Sequence, residues 1–147
     1  MILLITANIA LGNYEHFAVW ESKPDIVICE SDHITKNEVI KSLEYWQKLG
    51  YHFSSVEKTL KCPSNKFKKI IITEKKFENK QGNTNVKMYR YHDHEAKYLS
   101  EAMVELNQAD QRYPGENRES LVHELGHALG IDHVENVDDI MFAYTRQ

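Results

Sequence analysis

The chain has 147 residues, of which 41% are hydrophobic and 27% charged, with a net charge of -4 and a pI near 6.1. That is the size and make-up of one soluble domain, and it argues against fibrous, disordered and membrane-spanning architectures. The mild acidity offers no general attraction to nucleic acid or to an anionic membrane surface, so neither is expected as a partner.

Met1 to Leu11 is almost wholly apolar. No Lys or Arg occurs before Lys23, and the run is shorter than the roughly 20 residues a bilayer span needs. It reads as a buried strand or packing arm, with a degenerate secretion signal as the second choice, so the compartment stays open. An aromatic-rich stretch runs from Tyr14 to Trp20, and Asp25 to Glu30 is a short β-branched run behind Pro24 that reads as a strand. Thr35-Lys-Asn-Glu38 fits a capping box. Val39, Ile40, Leu43, Trp46 and Leu49 then follow at helical spacing, with Gly50 at the stop, which predicts a helix over 36–49.

Tyr51 to Val56 alternates weakly and is a candidate strand. Lys61 to Lys66 is a polar turn, Lys68 to Thr73 a strand, Phe77 to Asn85 a polar loop, and Val86 to Tyr91 a further strand. Ala102 to Leu106 fits either a sheet or a short helix, and Asp110 to Asn117 is a loop around Pro114-Gly115. A second helix is predicted over about Arg118 to Leu129, ended by Gly130. Strands with one early and one late helix point to an α+β domain. Cys29 and Cys62 lack the paired spacing of a zinc ribbon. They read as one buried and one surface thiol, with a single disulfide as the other possibility.

Eight histidines stand in the chain, and the second helix concentrates them: His123-Glu-Leu-Gly-His127-Ala-Leu-Gly130-Ile-Asp-His133. Residues four apart share a helix face, so His123 and His127 can point ring nitrogens at one ion. Gly130 can leave the helix in a left-handed conformation and bring His133 back as a third ligand. Three neutral imidazoles suit Zn²⁺ and leave a fourth position for water, whose pKa the ion lowers. Glu124 beside His123 is the natural general base for that water. Leu121, Val122, Leu125, Ala128 and Leu129 form the opposite, core-facing side of the helix. His16, His33 and His52 carry no such argument and read as structural or solvated.

The segment resembles the zinc signature H-E-x-x-H-x-x-G-x-x-H of the metzincin metallopeptidases, and Asp138-Asp-Ile-Met141-Phe-Ala-Tyr144 resembles the methionine turn of that clan. The wording is most similar to the matrixin branch. The resemblance implies a zincin-like α+β fold: a small, mixed, twisted sheet, a long helix in the first half and a zinc-binding helix leading into the methionine turn. One catalytic domain would span 1–147, made of an apolar and aromatic arm (1–24), an upper sheet-and-helix part (25–117) and the zinc helix with its turn (118–147). Carried residue by residue, it implies His123, His127 and His133 as zinc ligands, Glu124 as general base, Gly130 as the turn and Met141 as the apolar floor under the metal. Tyr144 would be a wall of the substrate pocket or a transition-state contact. Calcium or a second, structural zinc is common in matrixins. His92-Asp-His94 invites that idea, although a surface loop is the plainer reading. Only three residues follow Tyr144, where matrixin domains usually continue into a helix, so one wall of the cleft would be thin or made elsewhere. No recognisable inhibitory propeptide precedes the domain.

The function expected is a monomeric zinc-dependent endopeptidase acting on a polypeptide that lies extended in the cleft. A non-catalytic zinc-containing peptide-binding module and a zinc amidase acting on cell-wall peptides are the alternatives.

Overall fold

A computed structural model describes residues 14–108 and 118–143. The apolar segment 1–11, the loop predicted at 110–117 and Tyr144 lie outside the described residues. The described residues form an α+β fold with a mostly parallel sheet and two helices. In chain order the elements are β1 (Val19–Trp20), β2 (Asp25–Cys29), α1 (Lys36–Gln47), β3 (Val56–Thr59), β4 (Lys69–Lys75), β5 (Gly82–Tyr89), β6 (Tyr98–Asn107) and α2 (Arg118–Ala128).

The sheet runs β3-β2-β4-β6-β5, with β1 beside the first residues of β6. All pairings are parallel except β5 on β6, which is antiparallel and leaves β5 at an edge. The centre is built from runs without polar interruption, Ile26 to Cys29 and Ile70 to Ile72, which are buried throughout. Such runs suit parallel strands covered on both faces. On one face Ile26, Ile28, Ile70, Ile72, Val104 and Leu106 join the main core with both helices. On the other, Val27, Cys29 and Ile71 form a small cluster with Cys62 and Met103.

Cys29 and Cys62 are joined in a disulfide, which corrects the expectation of two separate thiols. The bond fastens the loop after β3 over the smaller cluster, and a sequence separation of 33 carries no local signal for it.

The capping box is present in full: Thr35 Oγ1 accepts from the Glu38 amide at 3.1 Å, and Glu38 reaches back to the Thr35 amide at 3.3 Å. The helix closes at Gln47 rather than at 49, and tighter backbone bonds carry the chain to Gly50. Its indole at Trp46 is fully buried and donates from Nε1 to the Val122 carbonyl at 2.9 Å, docking α1 on α2.

Three strands differ from expectation. The predicted strand over Tyr51 to Val56 begins only at Val56, because the Tyr51 side chain packs on Trp46 and supplies core, not alternation. The loop predicted at Phe77 to Asn85 already pairs from Gly82, opposite Leu106. The ambiguous Ala102 to Leu106 is the middle of β6, a ten-residue strand between β4 and β5.

Candidate metal centre and active site

Helix α2 turns Leu121, Val122, Leu125, Ala128 and Leu129 into the core and presents His123 and His127 to an open cleft of about 450 Å³. The helix ends in a Schellman arrangement, in which the last carbonyls are satisfied by amides beyond a left-handed residue. Gly130 N–H donates to the His127 carbonyl at 3.0 Å, and Ile131 N–H to the Gly126 carbonyl at 3.1 Å. Gly130 supplies the left-handed conformation, with φ +90, and its position also faces the Ala18 carbonyl too closely for any side chain. That reversal brings His133 back over the helix.

The three rings converge. His133 Nε2 lies 3.2 Å from His123 Nε2 and 3.1 Å from His127 Nε2. An ion ~2.0–2.1 Å from each of three nitrogens in tetrahedral geometry would separate them by about 3.3 Å; the two separations from His133 match this, and all three ligand atoms lie within 4.8 Å of one another, close enough to share one ion. The other ring nitrogens fix the tautomer. Nδ1–H of His123 donates to the Ile140 carbonyl at 2.7 Å, and Nδ1–H of His127 to the Ile131 carbonyl at 2.8 Å. A carbonyl can only accept, so each neutral ring carries its proton on Nδ1 and leaves the Nε2 lone pair bare. Burial holds the His127 and His133 rings below the usual histidine pKa, which keeps them neutral donors near pH 7. Among the described residues this is the one group of three or more His, Cys, Asp or Glu side chains close enough to share an ion. Nitrogen donors of this kind suit zinc, copper, nickel or iron.

Glu124 is buried beside the histidines and lines the same cleft. Burial pushes its carboxyl above the ordinary value, partly offset by a hydrogen bond from Thr84 and, more weakly, by the nearby Lys80 ammonium. Thr84 Oγ1 donates to Glu124 Oε1 at 2.7 Å. Thr84 stands on β5, within the segment expected to be loop, and no sequence signal marked it. Gln81 is another unexpected neighbour, accepting from Ser120 Oγ at 2.7 Å and so tying the start of β5 to α2.

Met141 is fully buried. Its sulfur and methyl pack against Gly126, between the first two histidines, where a side chain at 126 would meet the methyl at 2.9 Å and the Trp46 ring at 2.7 Å. The turn carrying it is tied by Val134 N–H to the Met141 carbonyl at 3.0 Å and by Met141 N–H to Asp139 Oδ1 at 2.8 Å. Thus His123, Glu124, His127, His133, Gly130 and Met141 come together. His92 and His94 do not join them: both are exposed, and His92 has Asp93 at 3.4 Å. No helix among the described residues is long and apolar enough to cross a membrane.

Comparison of the sequence with protein-family models and with curated proteins finds no match.

Proposed function

We propose that the protein is a zinc-dependent endopeptidase of the metzincin type. The observation that carries this reading is a buried carboxylate, Glu124, set beside three histidines whose Nε2 atoms converge in an open cleft. A purely structural zinc site is usually closed by four protein ligands and has no use for a base. Among the described residues three converge, and the cleft continues past them along β5.

His123, His127 and His133 would hold the ion, the first two in the tautomers that the Ile140 and Ile131 carbonyls impose. A bound Zn²⁺ would supply Lewis acidity, polarising the scissile carbonyl and acidifying water. Glu124 does the proton work. Thr84 occupies Oε1, so Oε2 is the oxygen that takes a proton from the attacking water and passes it to the leaving amide nitrogen. Among the described residues β5 pairs with β6 alone, and an extended peptide can add to its other edge through main-chain hydrogen bonds. Phe17, Ile140 and Phe142 line the cleft with apolar surface. The burial of Met141 against Gly126 supports its place as the floor of the site.

The test is a digest of a proteome-derived peptide mixture by the zinc-loaded protein, read by mass spectrometry, with and without chelator. Internal cleavages that vanish with chelator, and vanish in a Glu124→Ala variant that still holds zinc, are expected. Zinc-loaded protein that binds peptides and cuts none would leave a binding module. Cleavage of cell-wall peptide amides alone would assign an amidase.

A further inference from the structure

Apart from Phe17, which lines the cleft, the aromatic stretch Tyr14 to Trp20 has no task in this hydrolytic reading, yet its contacts gather on one target. Phe17 N–H donates to the Gly130 carbonyl at 2.9 Å, and His16 pairs with Ile131 in an isolated antiparallel bridge. Trp20 Nε1–H donates to the Ala128 carbonyl at 2.8 Å. The Tyr14 hydroxyl lies 2.8 and 3.0 Å from the two oxygens of Asp139. Asp139 in turn accepts the Met141 amide, a local turn in which an aspartate side chain holds the backbone two residues on. Two carbonyls orient the metal-facing rings, those of Ile131 and Ile140. The residue that bears the first, Ile131, is paired with His16 of this strap, and the neighbouring Phe17 amide holds the Gly130 carbonyl just before it. The second lies between Asp139 and Met141, inside the turn that Tyr14 grips.

We propose that the strap 14–20 aims both carbonyls, and that Tyr14 is a positioning residue for His123, acting through Asp139. The proposal rests on the reading of the histidines as metal ligands and is independent of peptide hydrolysis. A ligating imidazole is free to swivel about its side-chain torsions unless its second nitrogen is held, and loss of such an outer partner typically weakens metal binding. The Tyr14 ring packs on Trp46, with centroids 5.8 Å apart. Removing only its hydroxyl therefore leaves the ring seated and frees the Asp139 carboxylate.

The experiment compares the full chain with Tyr14→Phe, Asp139→Ala and Asp139→Asn. Zn²⁺ affinity is read by competition with a chelating dye, and coordination geometry by the visible absorption of the Co²⁺-loaded protein. Tyr14→Phe and Asp139→Ala are expected to weaken Zn²⁺ binding about 10–100-fold and to alter the Co²⁺ bands, with far-ultraviolet circular dichroism unchanged. Asp139→Asn keeps an oxygen acceptor and is expected to bind and absorb like the parent. Parental affinity and spectrum in Tyr14→Phe would overturn the proposal, and that variant decides alone if Asp139→Ala does not fold. Weaker binding in all three variants with unaltered Co²⁺ bands would mark a merely structural strap and also overturn it. A parent chain that takes up neither ion would overturn the metal-site reading itself.

Discussion

The Thr84 hydroxyl donates to Oε1 of Glu124 at 2.7 Å, across 40 residues of sequence and from strand to helix. The strand that offers an edge to a peptide therefore also holds the carboxylate that would act on it. Under the proposed chemistry, Thr84→Val removes the tether without changing side-chain shape. We expect kcat to fall about 10- to 100-fold, the scale on which small misplacements of reacting groups act, with KM little changed. Thr84→Ser should restore most of the rate. Steady-state kinetics on any cleaved peptide would check this, and an equal loss in the serine variant would contradict it.

The glycine inside α2 and the glycine just past its end should differ in their tolerance of alanine. At Gly126 the new methyl meets Met141 and Trp46. Because methionine can repack, we expect a loss of about 1–3 kcal/mol, the usual cost of overpacking. At Gly130 the obstacle is backbone, the Ala18 carbonyl, and φ is +90. Neither can yield cheaply, so Gly130→Ala should cost more than Gly126→Ala and weaken Zn²⁺ binding by displacing His133. Urea unfolding and zinc titration on both variants would rank them.

The Cys29–Cys62 bond closes a loop of 33 residues in sequence separation. Loop-closure entropy then gives a stabilisation of about 3–4 kcal/mol. Reduction, or Cys29→Ala with Cys62→Ala, should lower the urea midpoint accordingly while leaving zinc stoichiometry unchanged, since the bond lies on the sheet face away from both helices. A reduced protein as stable as the oxidised one would refute this.

Glu74 carries the clearest acid sensitivity. Burial pushes its carboxyl up, but donation from the Ser31 hydroxyl and from the His33 ring and amide outweighs this and leaves it below the ordinary carboxylate value. A group whose folded pKa is depressed stabilises the fold fully above its unfolded pKa, and that contribution is lost as pH falls through the folded value. Glu74→Gln should therefore cost roughly 1–3 kcal/mol near pH 7, as for hydrogen bonds to a charged group. The gap to the parent should close on acidification below the usual carboxylate range. Urea midpoints measured from pH 7 down to pH 3 would show whether it does.

How legible these features were depends on how local their physics is. The capping box at Thr35 and Glu38 and the histidine spacing of α2 act within one or two helical turns, so the residue pattern carried them. The polar edges were harder. Val56–Thr59 is held by backbone pairing to β2 and buries little, so it lacks an apolar rhythm. Gly82, Asn83 and Thr84 line the cleft and carry no apolar rhythm, which disguised the start of β5 as a loop. Tyr14 meets Asp139 across 125 residues, and Thr84 meets Glu124 across 40. Those partnerships exist only once the sheet and α2 are stacked. The α+β class, the three histidines that converge, the carboxylate beside them and the methionine were readable; the residues that steady them were not.

The Ile131 and Ile140 carbonyls are main-chain atoms, and any residue at either position carries the same oxygen. Exchanging those isoleucines for other apolar residues should leave the tautomers of His127 and His123 intact. Adding or deleting one residue between Gly130 and Met141 would shift the acceptor out of reach while every named ligand remained. In this part of the molecule spacing, more than side-chain identity, is the quantity under constraint. A relative that serves its metal in the same way would be known by the length of that segment even where its letters differ.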